Sequence, residues 1–534
     1  MKRMGVKLLS GLGVAGSLLS AVMLGGCSDD ATTMAMQSSA TRSSAPVGYA
    51  TAPASAVRNT MMSENAQPAV QGNFEHYDAN PWHEVAQAPQ STFAVDVNTA
   101  SYAFIRRQLR EGHAPFKDAV RSEELINYFP YDYAGPKSKD APFALHAQVT
   151  PTPWNPKTRL VHLALKGYDL PHQDRPKANF VFLLDVSGSM GVPDRLPLIQ
   201  QSLHQLGEVL RPDDKVAIVT YAGQAGIAQQ PTSGSDWASI KATIDSLHAD
   251  GGTAGYDGLQ TAYRLAESIY DPKAVNRVIL ATDGDFNVGL TDPGELEHFI
   301  QEEKHKGIYL TVLGVGVGDM NEAMMKRLAR AGNGQAAYLD SLMEARKVWT
   351  EEMASTVFPI ADDVKIQVEF NPARVAEYRL IGYEGQMLRK NDFSNDAKDA
   401  GSVNSGHSVT AIYEILPVEH DEPSRYAKKK DKAEASDELA FFRLRYKLPG
   451  QKQSKLFERP IGEADAVSSL DKASDDVRFS TAVAGFGQLL RGDAGIDWSY
   501  DAAAALAQGA RGSDPNGWRS EFVQLVHAAQ SIKK

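Results

Sequence analysis

The stretch Phe180-Val-Phe-Leu-Leu-Asp-Val-Ser-Gly-Ser-Met190 decides how the rest of the chain reads. Its first five residues are a continuous apolar run, as expected of a strand buried on both faces of a parallel sheet. The run stops at a carboxylate and two hydroxyls at alternate positions, Asp185, Ser187 and Ser189. Gly188 permits a sharp turn between the serines. Leu196, Ile199, Leu203, Leu206 and Leu210 then recur at spacings of three and four, which predicts an amphipathic helix. Three oxygen-bearing side chains therefore fall where a parallel strand ends and a helix begins. Open α/β sheets bind ligands at such strand ends.

Working outward, strands and helices alternate between residues 176 and 358. Further buried strands are predicted at Val216-Ala-Ile-Val-Thr220, Arg277-Val-Ile-Leu-Ala-Thr282 and Tyr309-Leu-Thr-Val-Leu-Gly-Val315, with a short one from Gln335 to Leu339. Helices are predicted from Trp237 to Leu247, over Leu259, Tyr263, Leu265 and Ile269, around Leu296 to Ile300, over Met324 to Ala331, and from Leu342 to Val357. This alternation gives an α/β, doubly wound, mostly parallel sheet of Rossmann-like type.

The chain here resembles a von Willebrand factor type A (VWA) domain with a metal-ion-dependent adhesion site. That family's pattern is Asp-x-Ser-x-Ser, a distant Thr and a distant Asp. All five positions can be placed: Asp185, Ser187, Ser189, Thr253 in Gly251-Gly-Thr-Ala-Gly-Tyr-Asp-Gly258, and Asp283 in Val278-Ile-Leu-Ala-Thr-Asp-Gly284. The resemblance implies that Ser187, Ser189 and Thr253 ligate the ion directly or nearly so. It implies that Asp185 and Asp283 act directly or through water. Three hydroxyls and two carboxylates suit a hard cation such as Mg²⁺, or Mn²⁺ or Ca²⁺. With few carboxylates the ion stays electrophilic, so a protein partner can offer it an acidic side chain. Taken singly, each residue has an ordinary explanation, since serines and threonines cap helices and Asp-Gly begins turns. Asp213, Asp214, Asp257 and Asp285 read as turn or outer residues.

The flanks differ from this core. Residues 91–175 read as an α+β module, with strands at Phe93 to Val97, Phe143 to Val149 and Leu160 to Leu165. Ser91-Thr-Phe-Ala-Val-Asp-Val-Asn-Thr-Ala-Ser-Tyr102 resembles the module that precedes the A domain in a group of bacterial A-domain lipoproteins. Asp96, Asn98 and Ser101 mimic a metal motif, although a strand end and a helix cap account for them. Residues 359–450 switch to period two, with Val364, Ile366, Val368 and Phe370 alternating with polar residues, which predicts a half-exposed antiparallel β unit. Residues 451–534 read as a helical region, with helices at Val477 to Leu490, Tyr500 to Ala507 and Trp518 to Ile532. Asn371 to Tyr383 and Asp475-Asp-Val-Arg-Phe479 resemble the C-terminal module of the same lipoprotein group.

The first 26 residues read as a signal peptide. Lys2, Arg3 and Lys7 form a positive start, and the apolar stretch from Leu8 to Leu24 ends in Leu24-Gly-Gly-Cys27. That ending resembles the lipobox of bacterial lipoproteins, which implies lipidation of Cys27. An uncleaved anchor is the weaker reading, because the apolar run is short and diluted by Gly. Ser28, with Asp29 only after it, resembles a sequence sorted to the periplasmic side of the outer membrane. Residues 27–90 are rich in Ser, Ala, Thr, Pro and Gln and read as a disordered tether.

The chain has 534 residues, a formal net charge of −11 and one cysteine. The single cysteine excludes an internal disulfide. An acidic chain without a basic block argues against nucleic acid as the partner, and Lys428-Lys-Lys-Asp-Lys432 reads as a solvated loop. No Gly-x-Ser-x-Gly, phosphate loop or His-Glu-x-x-His occurs. The expectation is therefore a non-enzymatic, membrane-anchored binding protein of the cell envelope. The alternatives are a metal-dependent hydrolase or phosphotransferase, and a structural scaffold whose metal site is vestigial.

Overall fold

The computed structural model describes residues 74–533, apart from 96–97, 253–254, 285–292, 317–320, 353–357, 397, 399, 419–435 and 494. The expected signal peptide, Cys27, Asp96, Thr253, Asp285 and the Lys428–Lys432 run lie outside the described residues. The described chain starts at Phe74, inside the expected tether, and is held there. Phe74 packs its ring 4.9 Å from Phe104 and 5.1 Å from Phe116. The Asn80 amide donates to the carbonyls of Leu380 and Gly382. The last part of the expected tether therefore carries enough aromatic and hydrogen-bonding groups to be held. It contains β1 (His83–Glu84) and leads into β2 (Gln90–Ala94).

Then come α1 (Ala100–Arg110), α2 (Ser122–Asn127), β3 (Phe143–Pro151) and β4 (Arg159–Gly167). The central region runs β5 (Ala178–Asp185), α3 (Leu196–Leu206), β6 (Lys215–Tyr221), β7 (Ala225–Ser233), α4 (Trp237–Ser246), α5 (Gly255–Ser268), β8 (Val275–Thr282), α6 (Pro293–His305), β9 (Ile308–Val315), α7 (Glu322–Ala331), β10 (Ala336–Leu339) and α8 (Leu342–Arg346). The sheet order is β10-β9-β8-β5-β6-β7. All neighbours are parallel except β7, which pairs antiparallel with β6. Every residue of β5 is buried, as its apolar run requires. The sequence reading missed β7. Its polar residues and Pro231 give no apolar pattern, and they suit an edge strand that must not recruit another chain. The closing helix changes its winding within the expected span, whose last residues, 353–357, lie outside the described ones. It ends at Arg346 and continues as a wider π turn over Lys347–Glu352.

The two flanks build one body. The chain continues with β11 (Pro359–Phe370), β12 (Val375–Ile381), β13 (Val403–Asn404), β14 (Ser408–Pro417), β15 (Glu438–Lys447) and β16 (Ser454–Gly462). One sheet runs β1-β12-β14-β4-β3 and the other β13-β11-β15-β16, with β2 on the free side of β11. Val149, Val161 and Leu163 from the first flank share a core with Val368, Phe370, Tyr413 and Phe442 from the second. β16 corrects the expectation of an all-helical tail after residue 450. Its Leu456 is exposed and Pro460 interrupts the pattern, so it does not read as a strand.

β15 alternates as expected, whereas the half-exposed reading is corrected for β11 and β14, which are buried on both faces. Their polar residues are satisfied locally. Lys365 pairs with Asp363, and Glu414 accepts from Thr158 and Arg379.

Helices α9 (Asp475–Arg491), α10 (Tyr500–Gly509) and α11 (Trp518–Lys533) cover the outer face of the first sheet through Trp154, Leu160, Ile381 and Ile412. α1 joins the two bodies. Ala100, Ala103 and Phe104 enter the core under the parallel sheet, while Tyr102, Ile105 and Leu109 enter the core of the helical cap. A helix apolar on both sides must be buried on both sides. On α1, Arg106 has no side-chain exposure. It bonds Asp340 at 2.7 Å, Glu344 at 2.7 Å, Tyr128 at 2.8 Å and Glu521 at 3.3 Å. One guanidinium thus ties α1 to the end of the parallel sheet, to α2 and to α11. Among the described residues no helix is long and apolar enough to cross a membrane.

Candidate metal centre

β5 delivers Asp185 to the carboxyl edge of the parallel sheet, between β6 and β8. Its carboxylate is buried, and Oδ1 accepts the Ser187 N–H at 2.9 Å, which folds the following turn. Ser187 begins a short 3-10 turn over Gly188–Gly191, but its side chain does not cap it. The capping explanation of that serine therefore fails. Its Oγ lies 3.1 Å from Ser189 Oγ, and Ser189 Oγ donates to Asp283 Oδ2 at 2.7 Å. Asp283 follows directly on β8 and is itself buried. Gly284, with φ of +96°, turns the chain away.

The second loop is tied to the first through the backbone. Gly188 N–H donates to the Gly251 carbonyl at 3.0 Å, and Asp250 N–H to the Val186 carbonyl at 2.8 Å. The structure thus brings together Asp185, Ser187, Ser189 and Asp283. It also places Gly251, two residues before Thr253, at the same edge.

The charges here are incompletely matched. Asp185 Oδ2 is buried and makes no hydrogen bond among the described residues. Burial is the main cause that pushes the Asp185 carboxyl above its ordinary range. The Asp283 charge adds to this, and Ser187 and Tyr221 offset it only in part. A buried carboxylate with a bare oxygen is costly unless a cation or donor reaches it. The donor set of hydroxyls and two carboxylates fits a hard divalent ion. Asp185, Ser187, Ser189 and Asp283 would hold it, with Thr253 from the second loop. The ion would supply a positive, oxygen-seeking coordination position. Among the described residues there is no group of three or more His, Cys, Asp or Glu side chains arranged for a metal. A site half made of hydroxyls does not depend on one.

The other nominated residues are structural. Asp214 accepts the N–H groups of Ala178 and Arg211, and Asp257 is exposed on α5. Asn98 accepts the Ala336 N–H, and Ser101 bridges the Ala119 carbonyl and the Arg121 N–H. Sequence reasoning missed Arg195. It immediately precedes α3, and its guanidinium donates to the Ser189 carbonyl at 3.0 Å and to Asp283 Oδ2. The usable signal was its place at the start of the helix that rises from this same edge.

Residues 179–349 match the family model described as von Willebrand factor type A domain. Residues 68–162 match one described as von Willebrand factor, and residues 355–532 one described as Uncharacterized protein YfbK, C-terminal. Fold and matches together define a VWA-domain protein. YfbK of Escherichia coli (strain K12) is 43% identical over 472 residues, covering 86% of this chain and 81% of that protein. The chain belongs to the YfbK family. The protein sll0103 of Synechocystis sp. is 28% identical over 188 residues, covering 35% of this chain and 42% of its own length. Among solved structures, von Willebrand factor type A from Catenulispora acidiphila aligns over 76% of this chain and 91% of its own, at 18% identity and a TM-score of 0.40.

Proposed function

We propose that this protein binds a divalent cation, Mg²⁺ or a similar hard ion, through Asp185, Ser187, Ser189, Thr253 and Asp283. The ion then binds an acidic side chain of a protein partner. The observation that carries this reading is the buried Oδ2 of Asp185, without a hydrogen bond among the described residues, beside Asp283 and two serine hydroxyls. Cys27 carries the lipid that tethers the folded body to the periplasmic side of the outer membrane. The test is retention of a partner from envelope extract by the full chain in Mg²⁺. Retention should be lost with chelator and with Asp185→Ala or Asp283→Ala. A partner retained equally under all these conditions would favour a scaffold. Hydrolysis of a phosphate ester that depends on Asp185 would favour the enzyme alternative.

A further inference from the structure

We propose that Arg195 is a built-in counter-cation of this centre: it holds Asp283 against the ion and so sets how tightly the ion is bound. The inference rests on the metal reading above. The Arg195–Asp283 pair is largely out of water, with side chains 12% and 1% exposed. Attraction between such charges is much stronger than at a wet surface. The oxygen held is Asp283 Oδ2, the same atom that Ser189 Oγ reaches. The guanidinium therefore sits among the candidate ligands and not merely near them.

Its seat is shaped for it. Gly316 has φ of +83°, and a Cβ there would stand 2.5 Å from Arg195 Nε and 2.9 Å from Cγ. The arginine lies in the space that this glycine leaves. Gly316 is itself braced, since its carbonyl accepts the Tyr338 hydroxyl. Arg107 of α1 then donates to Tyr338 Oη at 3.3 Å and to Asp194, the neighbour of Arg195, at 2.9 Å. The flanking body thus supports the arginine from both sides.

A divalent ion that approaches Asp283 meets a positive charge already bonded to that carboxylate. The guanidinium must then move away, or the two cations must share one acid. Either outcome weakens binding relative to a neutral residue at position 195. When the ion is removed, the same guanidinium offsets the repulsion between Asp185 and Asp283. The result is a weak, readily exchanging site that follows the surrounding ion concentration.

The test is calorimetric titration of MgCl₂ into the full chain, as wild type, Arg195→Gln and Arg195→Lys, with melting recorded in EDTA. Arg195→Gln should bind Mg²⁺ at least tenfold more tightly and melt lower than wild type in EDTA. Arg195→Lys, which keeps the charge but lacks the planar guanidinium seated at Gly316, should fall between them and decides the matter if the glutamine variant does not fold. Unchanged or weaker Mg²⁺ binding in the variants overturns the counter-cation and leaves the metal centre standing. If neither wild type nor variants take up Mg²⁺, both ideas fall.

Discussion

At Arg106, a guanidinium without solvent exposure is enclosed by Asp340, Glu344, Glu521 and the Tyr128 hydroxyl. At Asp185, an equally buried carboxylate has one oxygen without a hydrogen bond among the described residues, beside a second acid. The first cluster rings one arginine with acids from the chain after β10 and from α11 and works as a joint. The second draws its hydroxyls and carboxylates from loops at a sheet edge and stops short of matching its charge. A buried cation held by acids from separate elements ties structure together, whereas acids and hydroxyls gathered at a sheet edge suit an outside ion.

The sharpest way to break this contrast is at the joint. Arg106→Ala leaves carboxylates buried without their partner and should cost about 3–5 kcal/mol, read as a lower urea midpoint. A loss below about 1 kcal/mol would mean that Arg106 is not the joint. Next in size is the response to metal. At about a hundred times its dissociation constant, Mg²⁺ should stabilise the wild type by ~2.7 kcal/mol. Chemical denaturation should show no such gain for Asp185→Ala.

A smaller effect distinguishes a buried neutral group from both clusters. His162 lies beside Ser480 and Thr481, and burial pushes its pKa down to about 3. Between that value and the ordinary range the unfolded chain binds the extra proton and the folded one does not. Stability therefore rises with pH through this window and levels off above it. Lowering the pH from 8 to 5 should remove roughly 2 kcal/mol through this residue, and His162→Gln should flatten that slope. The smallest effect should come from Arg107→Ala. The pair with Asp194 is partly exposed, so its loss should cost at most ~1 kcal/mol. It should nevertheless shift Mg²⁺ affinity, since it loosens the seat of Arg195.

The parallel sheet was legible because β5 is apolar at nearly every position and ends in a recognisable set of oxygens. The edge that gathers Asp185, Ser187, Ser189 and Asp283 was legible because each of these residues stands at a strand end or in the turn after it. Other features were hidden for physical reasons. β7 and β16 are edge strands, and solvent on one side removes the pattern that marks a strand. The sandwich pairs β4 with β14, strands far apart in sequence, and no local periodicity records such a partnership. α1 reads as an ordinary amphipathic helix until two separate cores are seen to bury it. Arg195 was not singled out, since only the fold sets it against Asp283.

The most direct test is to count Mn²⁺ bound to the chelator-treated full chain by electron paramagnetic resonance. The account predicts one tightly coordinated ion per chain, lost on Asp185→Ala. No bound ion, or binding that Asp185→Ala leaves intact, would contradict it.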